Sequence, residues 1–314
     1  MRLKLILLSF GTVFLLSKCS TETKETANDS ASWIKPEAGM SVNLGDTVSL
    51  ELQLKEKADS VVYFADGIKL QKSTDLKPVG LPTKDLSLGM KAITAKIYRS
   101  GTDPEELSTN IVVKSTLVPL KYSFSVQQVF PHDTSSYTQG LEFYKGYLYE
   151  SDGLLAESSI RKTDVTSGKV LQITKIRDDI FAEGITIIGD KILMLTYQNF
   201  LNLEFDLKSL NLIREFPSQY RREGWGLCNN GKVIYSTDGS NMIYILNKDT
   251  YMQENSIEVY DHNGPVYQLN ELEYIDGQIY ANIYNSNRIV VINPSNGQVT
   301  AEVDLTDQIG RAHV

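Results

Sequence analysis

Cysteine, histidine and positive charge are all scarce in this chain, and each shortage removes a class of function. With two cysteines, Cys19 and Cys228, no disulfide framework is available. The three histidines, His132, His262 and His313, stand well apart, which argues against a zinc site built from histidine. They also leave Cys228, in "GLCNNGK", with no neighbouring histidine to activate it, so it reads as a filler thiol at a strand end. Thirty-one Lys and Arg against 39 Asp and Glu give a net charge of −8. With no long basic run, that balance excludes nucleic-acid partners, which need a basic face.

What is present begins with a targeting signal. "MRLK" carries two positive charges and "LILLSFGTVFLL" is an apolar core too short to span a bilayer. "LSKC" follows, placing Cys19 where a bacterial lipoprotein signal is cleaved and lipidated, although Lys18 departs from the usual small residue. The expectation is a signal peptide over 1–18, lipidation of Cys19, and a polar tether over 19–32. That places the protein on the bacterial cell envelope, at the periplasmic or outer-membrane face, held to the membrane only by its lipid.

Two all-β domains follow. Over 33–117, short alternating segments such as "DTVSLELQL", "SVVYFADG" and "STNIVVKST" are broken by turns, which suggests an immunoglobulin-like β-sandwich without clustered site residues. Over 118–308 the chain repeats. "TQGLEFYKGYLYES", "AEGITIIGDKILML", "REGWGLCNNGKVIYS" and "LNELEYIDGQIYAN" align, with turn glycines Gly146, Gly189, Gly231 and Gly277 spaced 43, 42 and 46 residues apart. A second turn, opened by Asp164, Asp206, Asn247 and Asn293, recurs 42, 41 and 46 residues apart. That period, with β-branched residues and period-2 alternation, predicts β-propeller blades and excludes a helical repeat.

Equivalent positions of successive blades point to equivalent places. Gln139, Glu183, Glu223 and Asn270 head the four first strands and are expected to form a polar ring at the channel mouth. Such a ring can satisfy backbone groups, hold a hard cation such as structural calcium, or bind a polar ligand. Tyr137, Tyr197, Trp225 and Tyr284 lie beside it in the repeat frame and favour the third role, an aromatic wall around a few polar groups.

Eight motifs, "YTQGLEF", "LYESDGL", "SSIRKTD", "FAEGITIIGDKI", "EGWGL", "STDGS", "LNELEYIDGQIYANIY" and "INPSNGQV", occur in order between about Val129 and Asp304. Together they resemble the plant and bacterial type of glutaminyl-peptide cyclotransferase. The resemblance implies a five-bladed propeller that converts N-terminal glutamine of peptides or proteins to pyroglutamate with release of ammonia. It further implies Glu183 as the catalytic acid-base, with Gln139, Trp225 and Asn270 binding substrate and Glu150 of "YES" in support. Tyr197 and Tyr284 replace tryptophans of the plant members, keeping an aromatic wall and adding hydroxyls. The family's "TGK-x-WPK" stretch is not reached, so the propeller is expected to be C-terminally truncated, with "YSFSVQQVF" deprived of its partners. The terminal "IGRAHV" at 309–314 matches the translation of a common sequencing adapter and is expected to be foreign.

No cofactor is required for the implied reaction, and a monomer is expected. One carboxylate can take a proton from the α-amine and deliver it to departing ammonia. The alternatives are a non-catalytic, peptide-binding scaffold lipoprotein and a calcium-dependent hydrolase of the lactonase type.

Overall fold

The computed structural model describes residues 30–306. The expected signal peptide, lipidated Cys19, nearly all of the tether and the foreign tail at 309–314 lie outside the described residues. Within them the chain is all-β, with no helix among its elements.

Eight strands between Ala31 and Lys114 make two sheets. The first strand starts at Ala31, two residues ahead of the expected boundary at Trp33. Alternation explains the pairing of the sheets. In Gly89–Tyr98 every second residue is buried, among them Ile93, Ala95 and Ile97, and these share one core with Val48, Leu50 and Leu81 of the opposing sheet. Tyr260 of the following domain joins that core, Leu88 donates its N–H to Asn296 (2.9 Å), and Met90 donates to Glu258 (2.7 Å), so the two domains share a contact.

Four antiparallel four-stranded meanders follow, termed here sheets I to IV. Their first strands are Thr138–Tyr144, Ala182–Ile188, Leu227–Asn229 and Leu269–Ile275. Each first hairpin turns through the glycine read from the repeat, and Gly146, Gly189, Gly231 and Gly277 all have positive φ (64° to 87°), where a Cβ is penalised. The second landmark is equally regular. Asp164, Asp206, Asn247 and Asn293 each accept the N–H of the residue two or three places on through Oδ1, an Asx turn that closes the hairpin.

First strands of neighbouring sheets touch in order, and those of sheets I and IV also meet, so the four converge on one axis. Apolar layers fill the gaps between sheets. Ile185, Ile192, Met194 and Phe205 of sheet II pack on Tyr149 and Ile160 of sheet I, and Cys228, Ile243 and Ile257 of sheet III pack on Leu272, Ile279 and Val290 of sheet IV. Leu120–Tyr122 pairs in parallel with Val299–Asp304 at the edge of sheet IV. The remainder of "YSFSVQQVF" carries no strand.

Candidate functional site

Three glycines set how closely the first strands approach. A Cβ on Gly140 would lie 2.5 Å from Ile185 N, one on Gly184 2.4 Å from Trp225 O, and one on Gly226 2.1 Å from Asn270 O. Backbone therefore meets backbone at the axis. Two hydroxyl latches reinforce it: Ser151 Oγ accepts from Gly140 N (2.9 Å) and donates to Glu183 O (2.6 Å), and Thr237 Oγ1 accepts from Gly226 N (2.9 Å) and donates to Asn270 O (2.7 Å). Gly184 N–H donates to Trp225 O at 2.7 Å.

This ring corrects the repeat frame. The residues in register are Gln139, Glu183, Trp225 and Asn270, each immediately before Gly140, Gly184, Gly226 or Glu271. Glu223, expected at that depth in sheet III, lies two residues upstream, in register with Tyr137, Phe181 and Gln268. The first strand of sheet III begins only at Leu227, because "REGWG" runs in as an irregular segment, and aligning glycine Gly224 with Gly184 instead of Gly226 shifts the frame by two.

The displaced frame nonetheless delivers Glu223 to Glu183. Glu183 is 7% exposed, and burial, with the charge of Glu223 second, pushes its carboxyl up to about 8. Glu183 therefore holds a proton at neutral pH. Glu223 accepts the indole N–H of Trp225 at Oε2 (3.1 Å) and the amide of Gln198 at Oε1 (2.7 Å). Tyr197 lies in the same field: burial first, then Glu223, Glu183 and Tyr284, raise its hydroxyl.

Aromatic rings enclose this pair of acids. Trp225 and Tyr284 meet edge to face at 5.4 Å, and Tyr137, Phe181 and Tyr197 form a row with centroids 6.4 and 5.8 Å apart. Phe181 also abuts the Gln139 side chain, since a Cβ on Gly153 would strike both. The side-chain amides of Gln139 and Asn270 make no hydrogen bond to any other described residue. The structure thus gathers Glu183, Tyr197, Trp225 and Tyr284, with Gln139 at the Phe181 side and Asn270 in the same ring.

Glu150 is not gathered. Its strand, Tyr147–Asp152, turns Tyr149 and Ser151 toward sheet II, so Glu150, one residue out of phase, faces the other way. There its carboxylate, 1% exposed, accepts from Ser136 (2.6 Å), Thr138 and His132 (3.1 Å), beside a pair of Asp152 and Arg161. That is a structural network, and the expected supporting role at the substrate is withdrawn.

Two members of the centre went unread in the sequence. Phe181 stands two residues before Glu183, as Tyr137 does before Gln139, so the repeat frame could have shown it. Glu271 occupies the fourth place in the glycine ring. Its carboxyl crosses the axis, accepting from Leu141 N–H (3.4 Å), with Oε2 buried against Gly184 and unpartnered. Burial raises it well above the usual carboxylate range, which keeps it neutral. Nothing in the one-dimensional pattern distinguishes it from a solvated Glu. Glu142, below it, is pushed up to about 7 by burial. Among the described residues no group of three or more His, Cys, Asp or Glu side chains is arranged to hold a metal ion, so these acids do not fit the calcium expectation. Cys228 is buried, and burial raises its thiol, in keeping with a filler role.

Comparison with known proteins agrees with this geometry. The model of a family described as glutamine cyclotransferase matches residues 102–313. A glutaminyl-peptide cyclotransferase of Arabidopsis thaliana is 35% identical over 173 residues, 54% of this chain and 53% of the relative. The chain thus spans about half the length of that curated relative. The crystal structure of Myxococcus xanthus glutaminyl cyclase matches with a TM-score of 0.56 at 29% identity, over 60% of this chain and 79% of that one.

Proposed function

The chain belongs to the glutamine cyclotransferase family, and from that premise we propose that it cyclises N-terminal glutamine of peptides or proteins to pyroglutamate, releasing ammonia. The single observation that carries the reading is Glu183, a buried carboxyl raised to about 8 among aromatic rings and open amides. The substrate brings its own nucleophile and its own electrophile within reach of a five-membered ring, so proximity is largely its own contribution. What it lacks is proton traffic. An amide nitrogen leaves poorly unless protonated, and an acid with a pKa near working pH serves that step best. Glu183 protonates the departing nitrogen and recovers the proton from the ring nitrogen.

Donors are needed where the amide oxygen gains charge. Gln139 and Asn270 have uncommitted amides for this. Trp225, expected as a third donor, has its N–H engaged by Glu223, so we assign it to the wall.

We also read the working ring as five-bladed and the N-terminal sandwich as an immunoglobulin-like spacer. Support for a fifth blade comes from Val118, Leu120, Tyr122, Phe124 and Val126, which alternate along one stretch and are 40–62% exposed, a strand pattern with no sheet face over it.

The deciding experiment incubates the protein with a Gln-initiated peptide and follows loss of one ammonia by mass. Release that survives a chelator supports the cyclase; release that needs added calcium points to the lactonase type. Binding without any release leaves the scaffold reading in its place.

A further inference from the structure

The pocket contains two carboxylates and no fixed cation. Among the described residues neither Glu183 nor Glu223 has a salt-bridge partner. Arg222, next to Glu223 in sequence, turns away: it donates to Gln253 (2.9 Å) and lies 3.6 Å over the Tyr244 ring and 4.6 Å over Tyr220. The other charged or titratable groups facing Glu223 are Glu183 and the Tyr197 hydroxyl, and Tyr284 stands across Trp225. A partly buried anion, oriented by two N–H donors and left without a counter-charge, sits at the edge of an aromatic wall. Such walls favour ammonium ions.

From this arrangement we infer that Glu223 binds the α-ammonium of the substrate's N-terminal glutamine and takes its first proton. The inference rests on the cyclase reading and divides its proton traffic between two acids. Environments that separate two neighbouring carboxyls assign the acid and the base. Here Glu183 is enclosed without a hydrogen-bond donor among the described residues, whereas Glu223 has Trp225 and Gln198.

The protons balance as follows. The α-NH3+ gives one proton to the Glu223 carboxylate. The resulting amine forms the N–Cδ bond, placing positive charge on the ring nitrogen and negative charge on the amide oxygen. Glu183 protonates the amide nitrogen, the Cδ–N bond breaks, and NH3 leaves. Glu183 then recovers its proton from the ring nitrogen, and Glu223 releases its own to water. The products are lactam, ammonia and one proton, as the stoichiometry from an ammonium substrate requires.

The inference also states what the pocket excludes. A peptide with a blocked or absent α-amine brings no charge for Glu223 and meets an unpaired anion instead.

The test compares a Gln-peptide with its α-desamino counterpart. For the intact enzyme, the desamino peptide should inhibit with a KI at least about tenfold above the KM of the Gln-peptide, the range expected for losing one charge-assisted contact. Comparable values would overturn the inference whatever the variants do. In a Trp33→Phe background Trp225 is the sole tryptophan of the chain, and its fluorescence reports binding directly. With Glu183→Gln added to stop turnover, the Gln-peptide should bind more tightly than the desamino peptide. Glu223→Gln should erase that preference, and Glu223→Asp, which keeps the charge, should retain part of it. A preference that persists in Glu223→Gln refutes the anchor. Failure of the cyclase reading shows separately, as absence of ammonia release from the Gln-peptide by the unsubstituted protein.

Discussion

The indole N–H of Trp225 donates to Glu223 at 3.1 Å, tying an aromatic wall to the anion that helps keep Glu183 protonated. Trp225→Phe retains most of the ring and removes that N–H. A hydrogen bond to a charged group contributes about 1.5–3 kcal/mol. The expected result is a KM for the Gln-peptide raised about tenfold or more with a smaller change in kcat, read by steady-state kinetics. Equal loss in kcat and kcat/KM would mean that Trp225 acts in the transition state instead.

Glu183→Gln keeps shape and removes the transferable proton. Ammonia release should fall by about a hundredfold or more, the usual contribution of a positioned acid-base group. The melting temperature should hold or rise, because no ionisable group is then buried there. An active Glu183→Gln protein would move the acid role elsewhere.

Stability should depend on pH in a stated direction. Glu183 rises from 4.5 in the unfolded chain to about 8, and Glu142 from 4.5 to about 7. Between those limits the folded state holds more protons than the unfolded, so stability falls as pH rises. It is fully present below about pH 4.5 and lost through pH 7–8 as far as these two groups are concerned. Melting temperatures at pH 5.5 and 8.5 should differ in that sense, and by less in Glu183→Gln.

Gly226→Ala would place a methyl 2.1 Å from Asn270 O, and Gly184→Ala 2.4 Å from Trp225 O. Both contacts are with backbone, which cannot swing aside. Each substitution should cost about 1–3 kcal/mol or more and depress activity through the displaced strands, as thermal melts and ammonia assays would show. Unchanged melts would mean that the first strands are not held as closely as described.

Glu150→Gln should separate stability from catalysis. The network with His132, Ser136 and Thr138 loses its charge, so the melting temperature should drop. Activity per folded molecule should stay within about twofold, since Glu150 faces away from sheet II. A selective loss of kcat would restore Glu150 to the substrate.

The sequence by itself determined the four hairpins with their positive-φ glycines, the four Asx turns, the all-β character and the identity of Glu183, Gln139, Trp225 and Asn270 as candidates. These are local: a turn glycine or an Asx cap states its conformation within a few residues, and repetition multiplies the signal. Only the tertiary structure decided that Trp225 and not Glu223 is in register, that Glu150 points away, and that Glu271 crosses the axis. Each of those depends on strands far apart in the chain meeting with one phase. A side-chain period of two makes one residue the difference between lining the pocket and turning from it, and two residues the difference between the wall and the anion behind it.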